Sequence, residues 1–441
     1  MTTPPMTPPM TPLPTSSPDR APRADPAWRV SRHASGLAPS VIAEALRQAA
    51  EGGAISLAAG CPAEETLPVA EARALVERVL ARPGALQYGD TSGLPGLRTW
   101  IAQDTARRTG RSVASGQVVI THGSQQALDL VCRALLDPGD TVIVDRPSYS
   151  GALHVLGLHQ ARVRAVPIAA DPDPDLSALE GVLAEGPPAR LVYVVPNFAN
   201  PTGASLTAGR RRALARLAER YGCVVVEDDP YRDLAFGPAG GDTGEQGEPE
   251  EQPEQAPPLA ALSDRVVALG SFSKVLSPAA RTGYLVAPEP LAPLLRTMKE
   301  AVDLGNSAFT QALVLALVTE PGLLERRLAT LRSVYRDRQK IMVAALGSYL
   351  GEELEFQVPA GGFFVWGRLT GGGDTRVLLP LALREGVAFV PGAAFYAHDP
   401  DVSTLRLSYA AADPTRLGPG CLRLARAVGR LRAGPRPGRG A

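Results

Sequence analysis

The stretch Ser271-Phe-Ser-Lys-Val-Leu-Ser-Pro-Ala-Ala-Arg-Thr-Gly-Tyr284 decides the fold of this chain. It places Lys274 among hydroxyl side chains, directly after the apolar run Val266-Val-Ala-Leu269, and Arg281 follows seven residues later. A lysine at the end of a buried strand is costly, because burial disfavours its charged form and lowers its pKa. The neutral amine can then attack a carbonyl group and form a Schiff base.

The neighbours of Lys274 suit a phosphate group. Hydroxyl side chains flank the lysine, and Arg281 offers a rigid bidentate fork. A lysine that forms an imine beside a phosphate site favours pyridoxal 5′-phosphate (PLP) as the cofactor. The alternative is a surface loop, since a serine-lysine tetrapeptide by itself is more often structural than catalytic. The other motifs have to decide between the two.

Composition limits the classes of protein that the chain can belong to. It has 441 residues, 45% apolar and 20% charged, as in soluble globular proteins with two lobes or two to three domains. Lys plus Arg equals Asp plus Glu, so no net field recruits nucleic acid or an anionic membrane. The apolar runs are far shorter than the ~20 residues of a transmembrane helix, and the first residues lack signal-peptide features. We therefore predict a cytoplasmic protein that binds neither nucleic acid nor a membrane.

Neither a disulfide framework nor a metal site is predicted. The four cysteines lie far apart without paired spacing, so we expect them to be reduced and mostly buried. The five histidines show no i, i+4 pairing. We therefore predict that the protein binds no metal.

Local composition divides the chain into segments. The first segment is rich in Pro, Thr and Ser and cannot bury enough apolar surface to order itself. An acidic stretch within the chain is predicted to be disordered as well. The predicted organisation is a disordered tail (1–30), an N-terminal arm with part of a small domain (31–65), a large cofactor-binding domain (66–300) with a disordered acidic insertion (242–258), a small C-terminal domain (301–432) and a basic tail (433–441).

Short β-branched runs alternate with helical patterns, which indicates an α/β domain whose sheet is covered on both faces. The predicted strands are 117–120, 141–145, 162–167, 190–195, 223–227, 266–269 and 283–286. The predicted helices are 125–136, 208–221 and 323–349, and strands at 362–368 and 387–390 are assigned to a smaller α+β lobe.

Three further motifs fall at predicted strand ends, where open α/β sheets bind ligands. Gly123-Ser-Gln125 opens a helix and can hold an anion, although for this motif alone an ordinary N-cap serine is the favoured interpretation. Asn200-Pro-Thr-Gly203 is by itself a common turn sequence. The carboxylates of Glu227-Asp-Asp-Pro-Tyr231 would be expensive to bury without a cation, which a protonated pyridine nitrogen supplies. A surface acidic turn is the alternative.

Taken in order, the motifs resemble a known family, the fold-type I PLP-dependent aminotransferases of class I/II. The branch most similar contains 2-aminoadipate and kynurenine aminotransferases and the C-terminal domains of MocR regulators. The resemblance covers residues 31 to about 430, and only the spacing that contains the acidic insertion is stretched. The motifs that carry it are Tyr88-Gly89, Gly123-Ser-Gln125, Pro147-Ser-Tyr149, Asn200-Pro-Thr-Gly203, Asp228-Asp-Pro-Tyr231, Ser271-Phe-Ser-Lys274 and Arg281.

The resemblance implies a role for each matching residue. Lys274 would form the Schiff base and act as general acid and base, Asp228 would pair with the pyridine nitrogen, and Tyr149 would stack on the ring. Asn200 and Tyr231 would bond the phenolic oxygen, with Pro230 beside them. Arg406 would bind the substrate α-carboxylate next to Gly60 and Asn200. The phosphate would be bound by Ser124, Gln125, Ser271, Ser273 and Arg281.

The resemblance also implies a mostly parallel seven-stranded sheet and a homodimer in which Tyr88 reaches the phosphate of the neighbouring subunit. Small-molecule amino acids and 2-oxo acids would be the substrates, exchanged by a ping-pong mechanism. The Ala58-Ala-Gly-Cys-Pro62 segment departs from the usual Gly-Gly-Leu-Pro at Ala59 and Cys61. We expect Cys61 to fill an apolar wall, the alternative being that it reshapes the side-chain pocket. Only Arg32 is basic in the arm before Pro39, which weakens 2-aminoadipate as the substrate.

Two alternatives stay open from the sequence. The same cofactor site serves lyases, decarboxylases and oxidases, although Arg406 and Asp228 favour transamination. A PLP-sensing domain of a transcription regulator is the alternative outside enzymes. We expect an enzyme, because the roughly 30 Pro-rich residues before the fold leave no room for a winged helix-turn-helix.

Overall fold

The seven strands predicted between residues 117 and 286 form one sheet in the computed structural model, which describes residues 30–31, 40–170, 176–237 and 256–434. From Val41 onward the described residues form one compact unit. The predicted N-terminal tail up to residue 29, residues 242–255 of the acidic insertion and residues 435–441 of the basic tail lie outside the described ranges. The domain boundaries at residues 65 and 300 stay predictions.

The strands of the described residues are, in chain order, β1 (Ile55–Ser56), β2 (Val118–Thr121), β3 (Thr141–Asp145), β4 (Arg162–Val166), β5 (Ala189–Val194), β6 (Val224–Asp228), β7 (Val266–Ser271), β8 (Gly283–Val286), β9 (Leu354–Phe356), β10 (Phe364–Leu369), β11 (Val387–Ala388), β12 (Val390–Pro391) and β13 (Thr404–Ser408). Their helices are α1 (Val41–Glu51), α2 (Val69–Leu80), α3 (Pro95–Thr109), α4 (Gly123–Leu135), α5 (Ser150–Leu158), α6 (Ser177–Ala184), α7 (Ala208–Tyr221), α8 (Leu259–Leu262), α9 (Ala292–Asp303), α10 (Ala308–Thr319), α11 (Leu323–Leu350), α12 (Thr375–Arg384) and α13 (Pro414–Ala433).

The central sheet has the strand order β2-β8-β7-β6-β5-β3-β4. Strand β8 is antiparallel to its neighbours β2 and β7, and every other pair is parallel. The predicted mostly parallel, seven-stranded α/β fold is therefore confirmed. Because β8 alone runs backwards, the carboxyl ends of β2 to β7 and the amino end of β8 lie along the same edge.

Helices cover both faces of this sheet. Alternate residues of β5 show it: Leu191 and Tyr193 pack with α4 and α5, whereas Val192 and Val194 pack with α6 and α7. All four β5 residues are at most 2% exposed. A strand buried on both sides reads as a continuous apolar run, which is why its sequence predicted it well.

The second sheet has the order β12-β13-β10-β9 and is antiparallel throughout. The single strand predicted at 387–390 is wrong in one respect. Its first half, β11, pairs in parallel with β1, and its second half, β12, pairs with β13. Phe389, which is fully buried, separates the two. An apolar run of four residues carries no sign that it changes partner, because all of it is buried.

Among the described residues, no single helix is long and apolar enough to cross a membrane. Helices α10 and α11, which meet at a bend of 86°, have the necessary length and apolar composition only when taken together.

Candidate active site

Six of the sequence motifs meet at one edge of the central sheet. Asp228 is the last residue of β6, and Ser271 is the last residue of β7. The residues that begin α4 follow β2, and those that begin α5 follow β3. The segment that contains Asn200 follows β5. Arg281 stands two residues before β8, the antiparallel strand. Strand direction therefore collects these residues at the edge where α/β sheets bind ligands.

Lys274 lies three residues beyond β7 and is held by the backbone of a distant segment. Its Nζ donates a 2.8 Å hydrogen bond to the carbonyl oxygen of Gly60 and lies 5.9 Å and 5.8 Å from the ring centres of Tyr231 and Phe363. Burial, assisted by the positive charges of Arg406 and Arg281, lowers the pKa of Lys274 to about 8. The neutral amine, which is the nucleophilic form, thus makes up about a tenth of the population at pH 7, far more than for an ordinary lysine.

Asp228 is 3% exposed and presents one oxygen of its carboxylate without a partner. Its Oδ2 accepts a 2.9 Å hydrogen bond from the hydroxyl of Tyr193, whereas its Oδ1 has no hydrogen bond within the described residues. Burial raises the pKa of Asp228 to about 6, against the opposing effects of Tyr193 and Ser124. A buried carboxylate oxygen left free is expensive unless a ligand satisfies it. The surface acidic turn, which was the alternative interpretation of this motif, is wrong.

Arg406, on β13, is 2% exposed and lies between two aromatic rings. Its guanidinium carbon is 4.4 Å from the ring centre of Phe364 and 5.1 Å from that of Phe395. Nη1 donates to Oδ1 of Asn200 at 2.8 Å, and Nη2 donates to the carbonyl oxygen of Ala58 at 2.5 Å. Burial lowers the pKa of Arg406 to about 10, so it stays charged at neutral pH. The stacked rings fix the plane of the fork.

The five residues predicted to bind phosphate come from the start of α4, from the end of β7 and the residues after it, and from the turn before β8. Ser124 and Gln125 lie in its first turn, where free backbone N–H groups and the helix dipole attract an anion. The hydroxyl of Ser271 donates to that of Ser273 at 3.0 Å, and Nη2 of Arg281 donates to the carbonyl oxygen of His122 at 3.0 Å. The N-cap of α4 is His122, so the interpretation of Ser124 as an N-cap is wrong.

Two glycines allow this close arrangement. Gly123 has φ of +77°, and a Cβ there would lie 3.0 Å from Nη2 of Arg281. A Cβ on Gly283 would lie 2.6 Å from the Cα of Gly123. Both positions therefore require glycine, because any side chain would push the helix start away from Arg281.

Residues 53–424 match the family described as Aminotransferase class I and II. This chain belongs to that family. It is 40% identical to the 2-aminoadipate transaminase of Thermus thermophilus over 397 residues, which cover 88% of this chain and 94% of that protein. It is 34% identical to aromatic-amino-acid aminotransferase 1 of Thermococcus litoralis over 406 residues, which cover 90% of this chain and 93% of that protein.

The solved structures agree with the sequence comparison. The α-aminoadipate aminotransferase of Thermus thermophilus, complexed with N-(5′-phosphopyridoxyl)-L-leucine, superposes with a TM-score of 0.79 at 39% identity, covering 92% of this chain and 98% of the other. This chain therefore has the PLP-transferase fold type I and is a PLP-dependent aminotransferase. The predicted family, fold class, reaction and cofactor are confirmed.

The site fits the cofactor on its own geometry. The unpartnered Oδ1 of Asp228 suits a protonated pyridine nitrogen, which is a hydrogen-bond donor with a positive charge. The start of α4, the serine hydroxyls and Arg281 suit a phosphate dianion. Lys274 provides an amine of lowered pKa beside both.

The remaining ring-binding candidates of the aminotransferase are buried or half-buried near Asp228. Tyr231 is 4% exposed, and burial raises its pKa, while the Asn200 side chain acts in the opposite direction. Asn200 is 8% exposed and also bonds Arg406. Tyr149, which precedes α5, and Pro230 are half-buried. Burial and the charge of Asp228 raise the pKa of Tyr149, so its hydroxyl lies within electrostatic range of that carboxylate.

The structure places Gly60 beside Lys274 but leaves its neighbour Cys61 exposed. Gly60 bonds Lys274 through its carbonyl, and a Cβ there would lie 3.0 Å from the ring of Phe364. Cys61 is exposed, so the prediction that it fills an apolar wall is wrong. Ala58, fully buried against Val390 and Phe395, has that place instead. The other three cysteines are free and buried, as predicted.

Tyr88 contributes nothing to the site within its own chain as described. Its side chain is 86% exposed, and the neighbouring Leu86 is 74% exposed. Large exposed apolar and aromatic side chains of this kind are typical of surfaces that meet another chain.

Sequence reasoning missed several residues that support the site. Tyr193 is the partner of Asp228, and the signal was available: a tyrosine within the apolar run of β5 needs a buried acceptor. Arg211, on α7 and fully buried, donates to Oδ1 of Asn197 at 2.7 Å, and Nδ2 of Asn197 donates to Oδ2 of Asp229 at 2.7 Å. Nothing in the run Arg210-Arg-Arg212 distinguishes the middle residue, except its position on the apolar face of the helix.

Proposed function

We propose that Lys274 is the amine to which PLP attaches in this aminotransferase, and that Asp228 holds the pyridine nitrogen of the cofactor protonated. The unpartnered Oδ1 of the buried Asp228 carries this proposal. Tyr193 satisfies the other oxygen and, through its hydrogen bond, favours the ionised carboxylate. An ionised Asp228 stabilises a positive charge on the nitrogen that faces it.

The rest of the cofactor site follows from the same placement. Asn200 and Tyr231 would bond the phenolic oxygen, and Tyr149 would cover one face of the ring, with Pro230 in the same loop as Tyr231. The phosphate would be bound at the start of α4 and by the side chains around it, namely Ser124, Gln125, Ser271, Ser273 and Arg281.

When bound, PLP would supply the electron sink that stabilises negative charge at the Cα of the amino acid. In the mechanism that we infer, Lys274 Nζ would accept the Cα proton and return it on the cofactor side, which its pKa of about 8 allows near neutral pH. Asp228 keeps the ring nitrogen protonated throughout through Oδ1. Hydrolysis would release the first product, a 2-oxo acid, and leave the amino group on the cofactor. A second 2-oxo acid would then accept that group by the reverse steps, so that the two half-reactions proceed by ping-pong kinetics.

Arg406 would bind the α-carboxylate of both substrates. Its fork is charged, held between Phe364 and Phe395, and directed by Asn200 and Ala58. A bidentate pair of this kind fixes the orientation of the substrate as well as binding it. Gly60 leaves room beside it.

The donor is an L-amino acid and the acceptor a 2-oxo acid. By their names, the relatives act on 2-aminoadipate and on aromatic amino acids, and both classes are candidate donors here. Arg32, the cation of the arm that would pair with a side-chain carboxylate, lies outside the described residues. A donor screen against pyruvate, an acceptor without a side-chain carboxylate, repeated with Arg32→Ala, separates the two classes, because only a dicarboxylic donor should lose activity in the variant.

The proposed assembly is a homodimer in the cytoplasm, with Tyr88 of each subunit reaching the phosphate of the other. The 86% exposure of Tyr88 and the exposed Leu86 support this assembly.

The test of the site uses the holoenzyme treated with one amino acid and no acceptor. The cofactor should convert to pyridoxamine phosphate in the wild-type protein and should not convert in Lys274→Ala. Keto acid released with ammonia and without pyridoxamine phosphate would contradict these roles.

A further inference from the structure

A ring of hydrogen bonds around Lys299 lies behind the proposed phosphate site and has no role in the mechanism above. Lys299, on α9, is fully buried, and Asp303 stands one helical turn later. Nζ of Lys299 donates to Oδ1 and Oδ2 of Asp303 at 2.8 Å and 2.9 Å and to Oε1 of Gln126 at 3.3 Å. All three protons of the ammonium group thus have acceptors.

One side of the ring leads to the guanidinium of Arg281. Nε2 of Gln126 donates to Oδ2 of Asp303 at 2.6 Å, and Oε1 of Gln126 accepts the backbone N–H of His122 at 2.8 Å. The carbonyl oxygen of His122 accepts Nη2 of Arg281 at 3.0 Å. His122 is the residue immediately before Gly123 and the first turn of α4.

The other side leads to the backbone of Arg281. Oδ1 of Asp303 accepts the N–H of Gly305 at 2.9 Å, and Nδ2 of Asn306 donates to the carbonyl oxygen of Arg281 at 3.5 Å. Asp303 therefore connects both ends of Arg281 to the start of α4.

Burial of the Lys299–Asp303 ion pair carries a desolvation cost. Desolvation lowers the pKa of Lys299, and a buried ion pair is often no more stable than an apolar pair of the same shape. Stability of the fold alone therefore does not explain why a charged pair occupies this position. The close contact of Gly123 with Gly283 and Arg281 gives the reason, since a small shift of the helix start would change the phosphate site.

We propose that Lys299 and Asp303 are positioning residues for phosphate binding, which fix the distance between the first turn of α4 and the guanidinium of Arg281. This inference rests on the proposed function, because it takes the first turn of α4 and Arg281 to bind the phosphate of the cofactor. It concerns affinity for the phosphate and not the chemistry at Lys274.

The test compares the affinity of the apoprotein for PLP with its affinity for pyridoxal, which lacks the phosphate, by equilibrium dialysis. Lys299→Met and Asp303→Asn should each lower the affinity for PLP about 10-fold or more, as expected for loss of a charged hydrogen-bond network. Neither variant should change the affinity for pyridoxal. Lys299→Arg, which keeps the charge, should recover part of the preference for PLP.

A double variant removes the ambiguity of folding. Lys299→Met/Asp303→Leu replaces the ion pair by apolar side chains and should fold, because such replacements are often neutral or stabilising. It should still lose the preference for PLP over pyridoxal, whereas Leu346→Ala, a core change on α11, should lower the melting temperature and keep the preference. Wild-type preference in the double variant overturns the inference.

Arg281→Met distinguishes the inference from the proposal on which it rests. If Arg281→Met keeps the wild-type preference for PLP, the proposed phosphate site is wrong. If Arg281→Met loses the preference and the Lys299 and Asp303 variants keep it, only the positioning role is wrong.

Discussion

The hydroxyl of Tyr193 donates a 2.9 Å hydrogen bond to Oδ2 of Asp228 and leaves Oδ1 of the same carboxylate free at the edge of the sheet. The two residues stand on the neighbouring parallel strands β5 and β6. Tyr193 therefore acts on the cofactor only through Asp228. It stabilises the ionised form of the carboxylate, which burial opposes.

Tyr193→Phe should raise the pKa of Asp228, because it removes a hydrogen bond to a charged group worth ~1.5–3 kcal/mol. We expect kcat to fall about 10-fold or more, and the acid limb of kcat against pH to move to higher pH. Asp228→Asn should lower kcat further. An acid limb that stays in place in Tyr193→Phe would show that the tyrosine has only a packing role.

Lys274→Ala should abolish covalent attachment of the cofactor and all transamination. The measurement is the visible imine absorbance, followed by borohydride reduction and mass analysis of the peptide that contains residue 274. Lys274→Arg is the matched control, since it keeps a positive charge but cannot form the imine. A reduced, labelled peptide from either variant would identify another attachment site.

The rate at which PLP attaches to the apoprotein should rise with pH and level off above about 8, the lowered pKa of Lys274. The stability of the apoprotein should follow the same group. Its pKa is lower in the folded state than in the unfolded chain, so between about pH 8 and 10.5 the unfolded state binds more protons and stability rises with pH. Urea unfolding at several pH values measures this slope, and Lys274→Met should reduce it. An equal slope in the variant would contradict the assignment.

Arg406→Lys should raise the KM of the amino acid and of the 2-oxo acid together, because lysine is a point charge and cannot form the bidentate pair. Truncation to Arg406→Ala should cost ~2–5 kcal/mol in kcat/KM, as for one partner of a buried charged pair. Arg368→Lys, an exposed change on the neighbouring strand β10, is the control and should leave both constants unchanged. An effect confined to one substrate would mean that Arg406 does not bind the shared α-carboxylate.

Mixing two inactive variants tests whether Tyr88 acts across subunits. A hybrid of one Tyr88→Ala subunit and one Lys274→Ala subunit contains one site with both native residues if Tyr88 reaches the partner. The hybrid should regain activity that neither parent homodimer shows, and PLP affinity should report the same restoration. If Tyr88 acts within its own chain, every site in the hybrid keeps one defect and activity stays at the level of the parents.

Much of the candidate site could be predicted from order along the chain. Six motifs each follow or precede a predicted strand, and parallel strands bring such ends to one edge of the sheet. Cys61 could not be placed in this way, since it lies in an irregular segment in which Ala58, and not Cys61, packs against the distant Val390 and Phe395. The switch of sheet at Phe389 was invisible for a similar reason, because every residue around it is buried.

By itself the sequence determined the family, the cofactor and the strands of the central sheet, because local apolar runs and the motifs at their ends encode them. Only the tertiary structure decided which contacts tune those residues. The stretch from Ser271 to Tyr284 names a lysine and an arginine, but the pKa of Lys274 depends on burial and on charges brought from other strands. The orientation of Arg406 depends likewise on two aromatic rings and the Ala58 carbonyl. That of Arg281 depends on hydrogen bonds that lead through His122 and Gln126 to Asp303. Such contacts join residues up to 348 positions apart, and no local pattern records a partner at that distance.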